Sequence, residues 1–337
     1  MFKPVILFEG GRDGYHTFRI PALIMAANGD MLTFCEGRRD GPGDSGRTWS
    51  SPQLVTTAPE MTYSNPCPVL DCDTGTILLS FCKNMSDEGE EKIKAGKAVR
   101  TVWITESHDH GATWSDPFEI TDQVKKNTWT WYATGPGHGL QLTCGRLIIP
   151  CDHITGVRFD NTDPYGSHLV YSDDHGKSWH IGAILSLPGN ESCAIELDDG
   201  SVYMNCRTRK EHGVRSYGIS RDRGLSFIEE GFHQELQEPA LYQGGCQGSL
   251  LKIPAISGSN SLFLFCNPAH RELRQRLAIH LGGKACRSWK EAMVVHPGLS
   301  GYSDLVLTEN GLIACLYEAG NESYCERIEL VLFNPPG

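Results

Sequence analysis

The feature that most constrains this chain is an eight-residue pattern that returns along its length. Ser107-His108-Asp109-His110-Gly111-Ala112-Thr113-Trp114 and Ser172-Asp173-Asp174-His175-Gly176-Lys177-Ser178-Trp179 share the form S-x-D-x-G-x-[ST]-W, and Ser220-Arg221-Asp222-Arg223-Gly224-Leu225-Ser226-Phe227 repeats it with Phe for Trp. An eroded copy ends Arg287-Ser288-Trp289, and Gly46-Arg47-Thr48-Trp49 keeps only the second half of one. The aromatic positions 49, 114, 179, 227 and 289 lie 65, 65, 48 and 62 residues apart, the order of interval that four-stranded sheet units with variable loops need. As a hairpin turn the pattern has a mechanism: Asp and Ser side chains bond turn amides, Gly takes positive φ, and the aromatic ring packs between neighbouring units. On this reading Asp109, Asp174 and Asp222 are structural, and Trp114, Trp179 and Trp289 are core.

The segments between these marks read as strands. MLTFC (31–35), TILLSFC (76–82), RLIIPC (146–151), SVYMNC (201–206) and SLFLFC (261–266) are short, apolar and rich in β-branched and aromatic residues. Each follows a turn signal: Asn28-Gly29-Asp30, Asp73-Thr74-Gly75, Cys144-Gly145, Asp198-Asp199-Gly200 and Gly258-Ser259-Asn260. Helical periodicity is confined to one short candidate, EEKIKAGKAVR near residue 95. The chain is predicted to be all-β.

Composition narrows the function. Over 337 residues, 39% hydrophobic and 21% charged is enough apolar material for a sizeable core, which excludes disorder and coiled coil. No run approaches the roughly 18 apolar residues of a membrane span, and the opening MFKPVILFEGG lacks the basic flank and long apolar run of a signal peptide, so a cytoplasmic protein is expected. A net charge of −11 repels nucleic acid and anionic membrane, so an anionic ligand has to be held by a local cluster of arginines. Thirteen cysteines, an odd and scattered set without a C-x-x-C pair, read as buried free thiols of a reducing compartment, and the thirteen histidines show no metal-binding spacing. Asn84-Met85-Ser86, Asn190-Glu191-Ser192 and Asn321-Glu322-Ser323 fit the glycosylation pattern at the level of chance.

With its repeats the sequence resembles the Asp-box β-propellers, in particular the exo-sialidases (neuraminidases) of the six-bladed fold. Tyr15-His16-Thr17-Phe18-Arg19-Ile20-Pro21 contains the F-R-I-P signature, and the resemblance makes Arg19 the first of three arginines that grip the sialic acid carboxylate. Asn190-Glu191, followed by Asn205-Cys206-Arg207, is similar to the stretch supplying the catalytic glutamate and second arginine; Arg274 matches the third. Gly301-Tyr302-Ser303-Asp304 resembles the nucleophile segment, and Tyr324-Cys325-Glu326-Arg327 the terminal strand whose glutamate, here Glu326, braces the first arginine. Trp131 to Gly139 and Gly244-Gly245-Cys246-Gln247 fit loops around the pocket, and Trp129, Trp131, Tyr132 and Tyr242 are candidates for its rim.

Those residue types suit the chemistry the resemblance implies. Sialic acid carries a carboxylate on its anomeric carbon, so a neutral phenol backed by a glutamate approaches it without the like-charge repulsion an Asp or Glu nucleophile would meet. Guanidiniums bind a carboxylate in planar, charge-assisted geometry that lysine does not match. The expectation is one domain over residues 1–337, no cofactor, sialylated oligosaccharides, glycoproteins or gangliosides as substrates, and hydrolysis through a tyrosyl intermediate on Tyr302.

One segment departs from the family pattern. Glu36-Gly37-Arg38-Arg39-Asp40-Gly41-Pro42-Gly43-Asp44-Ser45-Gly46 runs directly into Arg47-Thr48-Trp49, with a strand and half a repeat missing between them. Asp44 is the best match to the acid/base residue, Asp40 the second, and Arg38 joins the substrate-binding set. Either the loop is rebuilt or the first blade is one strand short. In the latter case the alternative is a sialic-acid-binding propeller with impaired or lost catalysis.

Overall fold

The structure, a computed structural model, describes residues 2–38, 52–58, 60–155, 165–209, 212–240, 244–255 and 260–336. Among them the chain is all-β, with two helices of four or five residues, Glu90–Lys94 and Thr121–Val124; the first falls in the one stretch with helical periodicity. The apolar runs form strands as expected, and the turn glycines Gly29, Gly75, Gly145 and Gly200 all have φ between 73° and 88°.

Strand β1 (Val5–Glu9) precedes β2 (Thr17–Met25) and β3 (Met31–Arg38), which pair with each other. A second sheet holds β4 (Met61–Asp71), β5 (Thr76–Met85), β6 (Thr101–Ser107) and the short β7 (Phe118–Glu119). A third holds β8 (Trp129–Thr134), β9 (Leu140–Gln141), β10 (Leu147–Thr155), β11 (Tyr165–Ser172) and β12 (His180–Ile184). The fourth runs in chain order through β13 (Ser192–Glu196), β14 (Val202–Cys206), β15 (Val214–Ser220) and β16 (Glu229–Gln237). The last links β17 (Ser249–Ile253), β18 (Leu262–Pro268), β19 (Gln275–Gly282), β20 (Trp289–Leu307), β21 (Ile313–Gly320) and β22 (Arg327–Phe333), and closes on β1. β20 serves two strand groups: up to Leu299 it pairs with β19, and from Leu299 onward with β21. The antiparallel pairing of β1 with β22 brings these two strands, far apart in the sequence, into one sheet.

The repeated pattern does what its chemistry predicts. Ser107, Ser172 and Ser220 each donate from Oγ to the Asp two residues on and accept the N–H of the following Gly. Each Asp also accepts the backbone N–H and the hydroxyl of the Thr or Ser four residues later. Hydrogen bonds from Thr113 hold the Asp109 carboxyl down at about 2.

Each turn also packs against the preceding sheet. A Cβ on Gly111 would meet Leu32 of β3, one on Gly176 would meet Leu78 of β5 at 2.0 Å, and one on Gly224 would meet Ile148 of β10. Trp179 is buried with Leu78 and Val102, and half-buried Trp114 stands edge-on to Phe34 at 5.8 Å. Trp289 reaches Tyr203 of β14. The turn is therefore an inter-sheet peg, and its aromatic residue belongs to the core.

Nine of the cysteines are buried, and all are free thiols. No helix among the described residues is long and apolar enough to cross a membrane.

Candidate active site

The β13–β14 hairpin turns at Asp198-Asp199-Gly200, and its register pairs Ser192 with Cys206. One step beyond the ladder, Arg207 N–H donates to the Glu191 carbonyl at 2.8 Å, which sets the two side chains side by side. Asn190 Oδ1 accepts the Glu191 amide, and Ser167 Oγ ties the Asn190 carbonyl to β11. Arg207 Nη1 donates to Glu191 Oε2 at 2.7 Å, and both residues are buried. Burial alone would raise the Glu191 pKa, but the Arg207 charge and the hydrogen bond from Tyr302 outweigh it and hold the carboxyl below its usual range. Glu191 is an ionised base.

Tyr302 sits in an irregularity between β20 and β21, where the register shifts between Ser300 and Ser303. Its hydroxyl donates to Glu191 Oε1 and lies 3.4 Å from Arg207 Nη1. Burial, reinforced by the Glu191 charge, pushes the phenol well above its usual range, so it is neutral.

Glu318 of β21 is fully buried and locks this strand to the first arginine. It accepts Arg19 Nε at 2.8 Å and Nη2 at 2.9 Å, and the backbone N–H groups of Ile20 at 3.0 Å and Tyr302 at 3.1 Å. Two neighbours make room for it. Gly301 lacks a Cβ that would stand 2.3 Å from Glu318 Oε2. Ile20 adopts φ of 60°, an outlier for a β-branched residue, within the β2–β3 bulge that spans the F-R-I-P signature.

Arg274 completes the arginine set. Its Nη2 donates to the Gly245 carbonyl at 3.1 Å, its Nε has no hydrogen-bond partner among the described residues, and it is 4% exposed. Arg19 and Arg274 each lie 4.9–5.4 Å from the ring centres of both Tyr302 and Tyr324. Arg19 is paired with Glu318 and Arg207 with Glu191, whereas among the described residues Arg274 has no carboxylate partner and its one hydrogen bond goes to a carbonyl. This end of the cleft therefore carries excess positive charge suited to an anionic group. Arg19, Arg207, Arg274, Glu191 and Tyr302 all line one cleft.

Glu326 requires a correction. It does not brace Arg19; its carboxylate accepts the N–H groups of Asn321, Glu322 and Ser323 and caps the loop before β22. The brace is Glu318, whose side chain projects from within β21, whereas Glu326 lies outside that strand. Arg38 lines the cleft half-exposed, with its guanidinium on Glu36 at 2.8 Å. Trp129 and Tyr132 are buried and so are not rim residues: Trp129 stacks on His153 at 3.8 Å. Trp131 does line the cleft, above Arg100 at 4.3 Å. Asp40, Asp44, Trp49 and Tyr242 lie outside the described residues.

Sequence reasoning also missed Asp152, Arg215 and Glu238. The buried pair Arg215–Glu238, at 2.6 Å, bonds the Cys246 carbonyl and amide, fixing the loop whose Gly244 and Gly245 carbonyls receive Arg207 and Arg274. Gln247 bonds the Ser303 amide and carbonyl next to Tyr302. For Glu318 and Asp152 the signal was a lone acid inside an apolar strand, YEAG and IIPCDHI, which burial obliges to have a purpose.

A family model described as "BNR repeat-like domain" matches residues 38–315. The chain is 30% identical to sialidase-3 of Bos taurus over 94% of its own length and 89% of that protein. It is 30% identical to a sialidase of Micromonospora viridifaciens over 93% of its length, but spans about half, 52%, of that longer protein. Among solved structures it superposes on the Hadza microbial sialidase Hz136 with a TM-score of 0.83 at 23% identity, covering 98% of this chain and 68% of that one. The intramolecular trans-sialidase from Ruminococcus gnavus gives 0.77 at 17%, covering 98% and 97%.

Proposed function

Since this chain belongs to the sialidase family with BNR repeats, we propose that it is an exo-sialidase that removes terminal α-linked sialic acid from glycoconjugates with retention of configuration. The observation that carries the reading is the buried phenol of Tyr302, hydrogen-bonded to an ionised Glu191 and flanked by Arg19, Arg207 and Arg274. The three guanidiniums hold the sugar carboxylate and fix the anomeric carbon over Tyr302. The phenol oxygen attacks that carbon, Glu191 takes the phenol proton, and the glycosidic oxygen leaves with a proton from Asp44. In the second step Asp44 takes a proton from water, whose oxygen attacks the anomeric carbon, and the Tyr302–sugar bond breaks as Glu191 returns the proton to the phenolate. No cofactor enters these steps. The same membership supports reading the strands as six blades of one propeller, with β20 shared between the last two and β1 closing the ring.

The test is turnover of a fluorogenic sialoside beside a sialyl-lactose. Wild type should cleave both, and Tyr302→Phe should lose about 10³-fold or more on each. Asp44→Ala should lose far more on the sialyl-lactose, whose leaving group needs the proton, than on the fluorogenic substrate. Wild-type turnover of the fluorogenic substrate alone would mean that the arginines and tyrosine work without an acid. Absence of turnover on both would refute the hydrolase reading.

A further inference from the structure

Arg274 is buried without a counter-charge. Among the described residues it has no carboxylate partner, its Nε makes no hydrogen bond, and its one hydrogen bond runs from Nη2 to the Gly245 carbonyl. A guanidinium taken out of water on these terms is costly, and a single hydrogen bond fixes its plane poorly. Its near surroundings are aromatic: Cζ lies 4.9 Å from the ring centre of Tyr324 and 5.4 Å from that of Tyr302. Arg19 reaches the same two rings, at 5.4 Å and 4.9 Å in that order. All four distances fall inside the roughly 6 Å over which the face of an aromatic ring attracts a cation.

Tyr324 belongs to the loop between β21 and β22, is half-buried and lines the cleft. Its seat is made by Gly301, where a Cβ would stand 2.9 Å from Tyr324 Cδ2, so the glycine that admits Glu318 admits this ring as well. Tyr302 changes its bonding in both steps of the proposed reaction, whereas the Tyr324 ring has no such duty and can hold the two guanidiniums throughout. A ring also does what a carboxylate would not. A carboxylate beside Arg274 would orient it but cancel its charge and compete with an incoming anion; a neutral ring face orients the cation and leaves its charge and its remaining donors to the ligand. Resting on the sialidase reading, we propose that Tyr324 is a positioning residue whose ring stands in for the missing counter-ion of Arg274 and holds Arg274 and Arg19 in the orientation that grips the sugar carboxylate. The arginines keep that carboxylate from the ground state through the transition state, so the effect of Tyr324 falls on binding and not on bond breaking.

The experiment uses wild type, Tyr324→Phe, which keeps the ring, and Tyr324→Leu, which removes it, with Tyr324→Met as a second ringless variant where leucine folds poorly. Calorimetry gives the Kd of the 2,3-unsaturated analogue of sialic acid, which retains the carboxylate and has no glycosidic bond to cleave; a fluorogenic sialoside gives kcat and KM, and Tm is recorded for each protein. Tyr324→Leu should raise Kd and KM by about tenfold while kcat stays within about threefold and Tm within about 3 °C. Tyr324→Phe should stay within about threefold of wild type on all three constants. Unchanged Kd and KM in the leucine variant, a phenylalanine variant as weak as the leucine one, or a loss of kcat in proportion to a large fall in Tm would overturn the proposal. Wild type that binds the analogue without cleaving the sialoside refutes the hydrolase reading, and the Kd values still decide on Tyr324; wild type that does neither refutes both.

Discussion

Glu318 is the residue on which the site's geometry turns. One carboxylate neutralises Arg19, holds the amide of Ile20 in its strained conformation and holds the amide of Tyr302, so Arg19 and Tyr302 are positioned by the same four oxygen–donor contacts. Glu318→Gln should lower stability by about 3–5 kcal/mol, because a buried guanidinium loses its counter-charge. It should also lower kcat/KM by about 10²-fold through misplacement of both groups. Glu326→Gln should leave kcat/KM within about twofold, since that carboxylate caps the loop of Asn321 to Ser323 and meets Arg327 at 3.7 Å, and does not reach Arg19. Thermal melts and steady-state kinetics on the two variants decide between the braces, and the reverse ranking would restore Glu326. The three arginines, Glu191 and Tyr302 were legible because each sits in a local motif. Glu318 was not, because its partners Arg19 and Tyr302 lie 299 and 16 residues away and only folding brings them together.

At the scale of elements, the repeated turn was legible to the level of single hydrogen bonds, because all its contacts are local and span at most four residues. Its packing on the preceding sheet was not, since a pattern that repeats along the chain does not say which strand each copy meets. Asp174→Ala removes the acceptor of the Ser178 amide and hydroxyl and of the Ser172 hydroxyl. It should cost about 1–3 kcal/mol while leaving the kcat of the folded protein unchanged, measured by chemical unfolding and by activity at a permissive temperature. A loss of kcat without a loss of stability would make that aspartate something other than a peg. Strand identity was readable from apolar runs and turn glycines, but the sharing of β20 between two strand groups was not. Trp289–Leu307 is one uninterrupted strand that changes partner at Leu299, and the change depends on β19 and β21, not on β20 itself.

For the whole molecule, buried histidines set the response to acid. Burial pushes His153 down to about 3 and His233 and His280 to about 4, and burial together with the neighbouring His153 holds His168 well below the usual imidazole range. Unfolded, each titrates near 6.5. As pH falls below that value the unfolded chain binds protons that the native protein refuses, so stability declines between about pH 6.5 and 4, by at most about 1.4 kcal/mol per pH unit for each histidine. Melts from pH 8 to pH 4 should show this decline, and His153→Gln should flatten it; a Tm independent of pH across that window would contradict the assignment. The closure of β1 on β22 has a consequence in time. Tyr302 follows Arg19 by 283 residues in the chain (302 less 19), so at about 5–20 residues per second it is made roughly 15–60 seconds later. Over that interval β1 has no β22 to pair with. A chain that stops short of β22 leaves β1 unpaired, and the Arg19–Glu318–Tyr302 cluster can form only once Glu318 has been made.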